Sequence, residues 1–276
     1  MSRRLARATT VLIGALIACA LSAGPVRADA NDPLDLRYGV YWAGFQIATL
    51  TLEHEVRSAR YRSQLLIETV GLVEKLVRYR AKTSASGRLG EGDSLLPVTY
   101  SSEYRSRKKD RRSVVKFDPR SGDVLDLEIT KRGKPDDSKV PEELRRNVTD
   151  PLTAFFQIRD HVATADKGDA FAAQIFDGRR RYDVEARMVG RDRAWIAGRQ
   201  QRVIRLRLSL EFLAGANADD LEEVAVEDDR IEAELLLSAD ERLLPLSLRI
   251  LDRPLAGRIE LLQDCSSEAG CQLASR

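Results

Sequence analysis

Alternation with a period of two dominates the chain from residue 34 onward. Leu36, Tyr38, Val40 and Trp42 share one parity, and Phe45, Ile47, Thr49 and Thr51 share another after a break at Ala43-Gly44. Two such runs around a glycine predict a pair of strands joined by a hairpin. The same reading predicts strands over 61–69, from about 77 to 86, and over 98–104, 113–118 and 123–130. In 123–130, Val124 and Asp126 are expected to face away from Leu125, Leu127 and Ile129. Further strands are predicted over 171–176, 179–189, 201–212, 231–238 and 257–262, with a turn at Gly190-Arg191-Asp192-Arg193. In 201–212 the apolar Ile204, Leu206, Leu208 and Leu210 alternate with Val203, Arg205 and Arg207, the signature of a half-buried antiparallel strand. Leu95-Leu96-Pro97 and Leu243-Leu244-Pro245 each open an alternating run, and Pro97 suits a strand start or an edge.

Two segments break the period. Gly71–Ala81 carries both a helical and an alternating pattern, and the reading adopted is a turn or helical corner at 71–76 followed by a strand. Residues 149–162 form one short amphipathic helix: Thr149 or Asp150 can cap it, Pro151 suits its first position, and Leu152, Phe155, Phe156 and Arg159 follow the 3.6-residue period. The sum is a mostly β protein, a long antiparallel meander forming an open or incomplete barrel or β-spiral, with the helix plugging or flanking one end. Such a meander must close, coil or be covered to protect its edges.

The first thirty residues read differently. Arg3, Arg4 and Arg7 precede an uncharged apolar stretch from Thr9 to Leu21, and small residues lead to Ala28-Asp29-Ala30. This is the layout of a bacterial secretory signal peptide, with an apolar core short for a membrane span. Leu16-Ile17-Ala18-Cys19 also resembles a lipobox, which would make Cys19 a lipidated N-terminus. The expected organisation is a signal peptide over 1–30, a single curved β-sheet domain over 31–264 and a C-terminal tail over 265–276. The expected location is the periplasm, with an outer-membrane lipoprotein as the alternative.

Removing residues 1–30 changes the charge argument. The whole chain carries +2, but this segment holds four arginines and one aspartate, so the remainder is close to −1. The basic pI belongs to the leader, and global charge gives no case for nucleic acid. One local exception stands out: Arg105, Arg107, Lys108, Lys109, Arg111 and Arg112 fall in RSRKKDRR at a predicted hairpin connection. It reads either as a solvated hairpin tip or as a contact for anionic head groups or lipopolysaccharide phosphate.

Catalytic chemistry is sparse. The two histidines, His54 and His161, have no cysteine or histidine cluster around them and read as structural or solvated. There is no G-x-S-x-G elbow, P-loop, dinucleotide fingerprint or H-E-x-x-H, so no cofactor or metal is implied. Carboxylates are abundant, but no pair stands out for glycosidase chemistry. Cys265 and Cys271 sit together in DCSSEAGCQ. A disulfide pinning the last strand to the tail is one reading, which by loop length contributes about 2–3 kcal/mol; a redox pair or two free thiols are the others. Tyr38, Trp42, Phe45, Tyr79, Tyr100 and Phe117 either line a ligand cavity on the concave face or simply pack the core.

Several short motifs in a set order carry a family signal. They are Tyr38-Gly39-Val40-Tyr41-Trp42-Ala43-Gly44-Phe45, Leu95-Leu96-Pro97, Phe117-Asp118, Asp150-Pro151-Leu152-Thr153-Ala154-Phe155-Phe156 and Phe176-Asp177-Gly178-Arg179-Arg180-Arg181-Tyr182. Together, over about residues 36 to 250, they resemble the bacterial exported family called domain of unknown function 3108. The resemblance implies an exported, largely β protein without an agreed activity, similar to periplasmic lipoprotein carriers and to β-spiral envelope-integrity proteins. It implies no catalytic residue. The family pattern often has a cysteine in the strand that here reads Arg202–Leu208, and this chain has none there. Three functions stay open: a non-enzymatic envelope protein binding a lipid, lipoprotein or envelope protein in the concave face; a scaffold without a cavity; and an envelope hydrolase or carbohydrate-active enzyme.

Overall fold

A computed structural model describes residues 32–215, 230–251 and 257–267. The expected signal peptide, the Cys19 lipobox and Cys271 lie outside the described residues. Fourteen strands form one antiparallel sheet. The first eight are β1 (Leu34–Trp42), β2 (Phe45–Arg57), β3 (Arg60–Thr69), β4 (Arg80–Leu89), β5 (Leu95–Arg105), β6 (Asp110–Phe117), β7 (Val124–Lys131) and the two-residue β8 (Lys134–Pro135). A short helix α1 (Gly71–Val77) stands between β3 and β4, and α2 (Pro151–Val162) follows β8. The remaining strands are β9 (Ala170–Phe176), β10 (Arg181–Ile196), β11 (Arg199–Ala214), β12 (Arg230–Ser238), β13 (Pro245–Ile250) and β14 (Arg258–Asp264). Neighbours in the sheet are neighbours in sequence, with one exception: β1 pairs with β14, Leu36 opposite Asp264 and Val40 opposite Ile259. The free edges are therefore β8 and β9, and the expected open barrel is the observed architecture.

Residues 148–149 clasp the two edges without closing the ladder. The Val148 N–H donates to the Gly122 carbonyl at the β6–β7 turn, 3.0 Å. The Thr149 N–H donates to the Gln174 carbonyl at 2.8 Å, and the Thr149 carbonyl accepts from the Phe176 N–H at 2.9 Å. Thr149 thereby makes a single parallel bridge to Ile175 of β9.

Helix α2 occupies the concavity rather than flanking it. Asp150 is its N-cap and accepts from the N–H groups of Leu152 and Thr153 at 3.0 and 2.9 Å. Leu152 and Phe156 pack into one core with Leu36, Leu50, Leu52, Val115 and Phe117. Ala154, Ile158 and Val162 pack into a second, against Val184, Ile204, Leu206 and Leu235 of β10–β12. A helix enclosed by the sheet is buried on several sides, so a single apolar stripe understates its burial.

Several local expectations are corrected. In β2 the buried parity is Ala48, Leu50, Leu52 and His54, while the stripe read from Phe45, Ile47, Thr49 and Thr51 lies on the outer side; two leucines on one face outweigh two threonines on the other. Leu125 is exposed and Val124 packs against the core, because the ladder shifts register between Lys116 and Phe117. The predicted turn at 190–193 is a bulge inside the sixteen-residue β10, with Gly190 at φ +146°. Residues 71–77 make a full helix, and the next strand starts at Arg80, three residues later than read from the pattern. Pro97 lies within β5 opposite Gly87, at a bulge and before the first β5–β6 pair at Thr99, so no ladder bond is lost.

Candidate functional site

Because α2 fills the middle of the curved sheet, what remains of the concavity is an open pocket at one end, about 400 Å³ in volume. Its walls are the inner faces of β4, β5 and β6, the 106–109 turn and the Asp177-Gly178-Arg179-Arg180 turn between β9 and β10. The last turn reaches across to β6: the Ser113 Oγ donates to the Asp177 carbonyl at 3.2 Å. A Cβ added to Gly178, which sits at φ +88°, would lie 2.8 Å from the Ser113 Cβ. Glycine is required there both for the backbone conformation and for the close approach.

The lining is cationic and phenolic. Lys109, Arg111, Arg112, Arg179 and Arg180 line it together with one carboxylate, Asp177. That carboxylate is committed: its Oδ2 lies 3.0 Å from the Arg180 Nε, and its Oδ1 accepts from the Arg179 and Arg180 N–H groups at 2.9 and 2.7 Å. Tyr79, Tyr100, Tyr104 and Tyr182 contribute rings and hydroxyls. The Arg179 Nη1 donates to the Tyr104 hydroxyl at 3.1 Å, and the Tyr79 and Tyr104 rings lie 6.2 Å apart. Burial, reinforced by the nearby Asp177 charge, pushes the Tyr100 and Tyr182 hydroxyls well above their ordinary pKa. Ile67, Val77 and Ala81 supply an apolar border.

Guanidinium and ammonium groups beside phenols suit a phosphate, sulfate or carboxylate, since charge-assisted hydrogen bonds are the strongest the protein can offer. Ser102, Ser106 and Ser113 add hydroxyls to the lining, so the described wall offers hydrogen bonds as well as positive charge. Among the described residues there is no cluster of three potential metal ligands. No helix of the described residues is long and apolar enough to cross a membrane.

The aromatic candidates from the sequence separate into three groups. Tyr79 and Tyr100 line the pocket. Tyr38 and Phe117 are buried in the core, and the Tyr38 hydroxyl donates to the Pro245 carbonyl at 2.9 Å. Trp42 and Phe45 are exposed at the β1–β2 tip and are not part of this pocket's lining. The basic run also divides: Lys109, Arg111 and Arg112 line the pocket, while Arg105, Arg107 and Lys108 are exposed outside it. Cys265 is described, its N–H donating to the Asp35 carbonyl at 2.7 Å. Pattern reading missed Arg179 and Arg180. Their only sequence signal was Asp177-Gly178, a turn pair that brings both arginines back onto β6.

Residues 37–254 match the model of a protein family of unknown function, DUF3108. The chain belongs to the DUF3108 family. No curated protein is significantly similar to it in sequence. Among solved structures, a β-barrel-like DUF1849 protein from Brucella abortus is similar over 86% of this chain and 98% of its own, with TM-score 0.54 and 9% identity. That likeness extends the barrel-like fold to a second family. Weaker likenesses, both with TM-score 0.32, are to a protein from Parabacteroides distasonis provisionally named a lipoprotein (6% identity, 84% of this chain, 95% of that one) and to one from Bacteroides fragilis provisionally named an exported protein with a YmcC-like fold (7% identity, 86% and 96%).

Proposed function

We propose that this DUF3108 protein is a non-enzymatic envelope protein of the periplasm that holds an anionic amphiphile by its charged end in the tyrosine–arginine pocket. The observation that carries the reading is the convergence of five cations and four tyrosines on one 400 Å³ cavity. The leader over residues 1–30 supplies the export argument, with lipidation at Cys19 as the alternative route to the outer membrane. Export would also let Cys265 and Cys271 pair and pin β14 to the tail.

Native mass spectrometry of the protein purified from its own periplasm tests this directly. A stoichiometric acidic lipid, lost in Arg111→Ala and in Arg179→Ala, is the expected result. Each substitution should weaken binding about tenfold or more, as removal of a charge-assisted contact does. A clean apoprotein that takes up no lipid from an envelope extract would overturn the amphiphile reading and leave a scaffold. The same spectrum reads the N-terminus, and a mass lower by two hydrogens reads the disulfide.

A further inference from the structure

The rim around the pocket mouth presents apolar side chains that are exposed among the described residues. Helix α1 buries none of its residues. Leu72 and Leu76, one turn apart, are 72% and 65% exposed. The helix is nonetheless fixed in place. The Val70 N–H donates to the Ile47 carbonyl at 3.0 Å, the Arg107 N–H to the Val77 carbonyl at 3.1 Å, and the Arg107 Nη2 to the Lys75 carbonyl at 2.6 Å. A short helix held by backbone bonds, with its leucines outward, gains nothing from the core. Two residues of β2 away, Trp42 and Phe45 face each other across the Ala43-Gly44 turn and are 52% and 75% exposed. Lys75, Arg78, Arg107 and Lys108 are exposed among these side chains.

We propose that this rim docks on an anionic phospholipid bilayer, with Leu72, Leu76, Trp42 and Phe45 entering the acyl boundary and the surrounding cations meeting lipid phosphates. Charge complementarity selects the occupant. Leucine and aromatic side chains interleaved with lysine and arginine are the composition of a bilayer-interface surface, where apolar burial and attraction to anionic head groups add. A protein partner would favour an apolar centre with the charges excluded to its border. The docking is independent of what occupies the pocket, although it would place the pocket mouth against the head groups.

Vesicle co-sedimentation tests it. The purified protein should bind phosphatidylglycerol vesicles and not phosphatidylcholine vesicles, and high salt should release it. Leu72→Ser/Leu76→Ser and Arg107→Glu/Lys108→Glu should each weaken binding at least about tenfold. All four positions are exposed, and circular dichroism checks that the variants stay folded. In Trp195→Phe, the remaining Trp42 emission should shift to the blue on adding phosphatidylglycerol vesicles. Equal binding to both lipids, unchanged binding of the two double variants, or no binding at low salt would overturn the proposal. Arg179→Ala separates the two readings, because it should lose the pocket ligand and retain vesicle binding.

Discussion

His54 and Asp150 are titrating residues buried in the interior. The His54 ring stacks on Phe156 with centroids 3.8 Å apart, and its Nδ1 lies 2.8 Å from the Ser63 Oγ. Burial and then the Arg159 charge lower its pKa from 6.5 to about 3. Burial raises the Asp150 carboxyl from 3.8 to about 6 against the pull of its cap bonds to Thr153 and Leu152. The two effects have opposite sign in linkage. Below pH 6.5 the unfolded chain protonates His54 and the folded chain does not, so that contribution drains as pH falls toward 3. Between pH 6 and 3.8 the folded chain protonates Asp150 and the unfolded chain does not, so that contribution grows as pH falls. Where the windows overlap they cancel, each slope being at most about 1.4 kcal/mol per pH unit. Relative to the parent, His54→Gln should therefore gain stability as pH falls from 6 to 4, and Asp150→Asn should lose it. Urea midpoints at several pH values measure both, and parallel profiles for all three proteins would refute the assignment. The sequence offered Asp150 as a helix cap and left His54 as structural or solvated; neither titration was legible, because alternation in β2 does not say that Phe156 and Ser63 close around the imidazole.

At the scale of elements, α2 decides whether the concavity is solid or hollow. Phe156 is fully buried between the His54 ring and the Arg159 guanidinium, whose carbon lies 5.8 Å from the phenyl centroid. The Arg159 Nη2 donates to the Arg242 carbonyl at 3.0 Å, and the Tyr61 hydroxyl meets the Thr153 Oγ1 at 2.6 Å. Phe156→Ala removes the side chain that joins the helix to β2, and should cost about 3–5 kcal/mol by the measure of other buried phenylalanines. A thermal or denaturant transition reads the loss; a cost below 1 kcal/mol would mean that α2 does not anchor the core. The helix was legible because Asp150-Pro151 announces its start and the following residues keep a 3.6 period. Its depth was not, since a pattern of one stripe cannot say how far a sheet wraps around it. The bulges at Gly190 and between Lys116 and Phe117 were hidden for a related reason: an inserted residue changes parity without changing composition.

For the whole molecule, the pocket exists because the two ends of the sheet lean together without joining their ladders. Gly178 is the contact point, and Gly178→Ala would force a Cβ against Ser113 in a left-handed backbone conformation. The substitution should cost about 1–3 kcal/mol and shift Arg179 and Arg180 away from β6. Hydrogen exchange should show the 147–149 clasp and the 177–180 turn opening together, and protection unchanged in both would argue against this coupling. The meander and its openness were readable from alternation and from the need to protect edges. The pocket was not, because it draws on β4–β6 and on a turn some seventy residues later. Alternation reports which side of a strand is buried, and nothing about which distant turn completes the wall.

The pairing of β1 with β14 has a consequence for how the protein comes into being. Apart from β9, which starts at a free edge, every later strand can be laid beside its predecessor as it emerges, but β1 has one flank that only β14 covers. Until that strand arrives, the first hairpins stand with an open row of backbone donors and acceptors, the state in which β proteins are most prone to pair with a stranger. Whatever route carries the chain to its destination must shield that flank for nearly the whole length of the polypeptide.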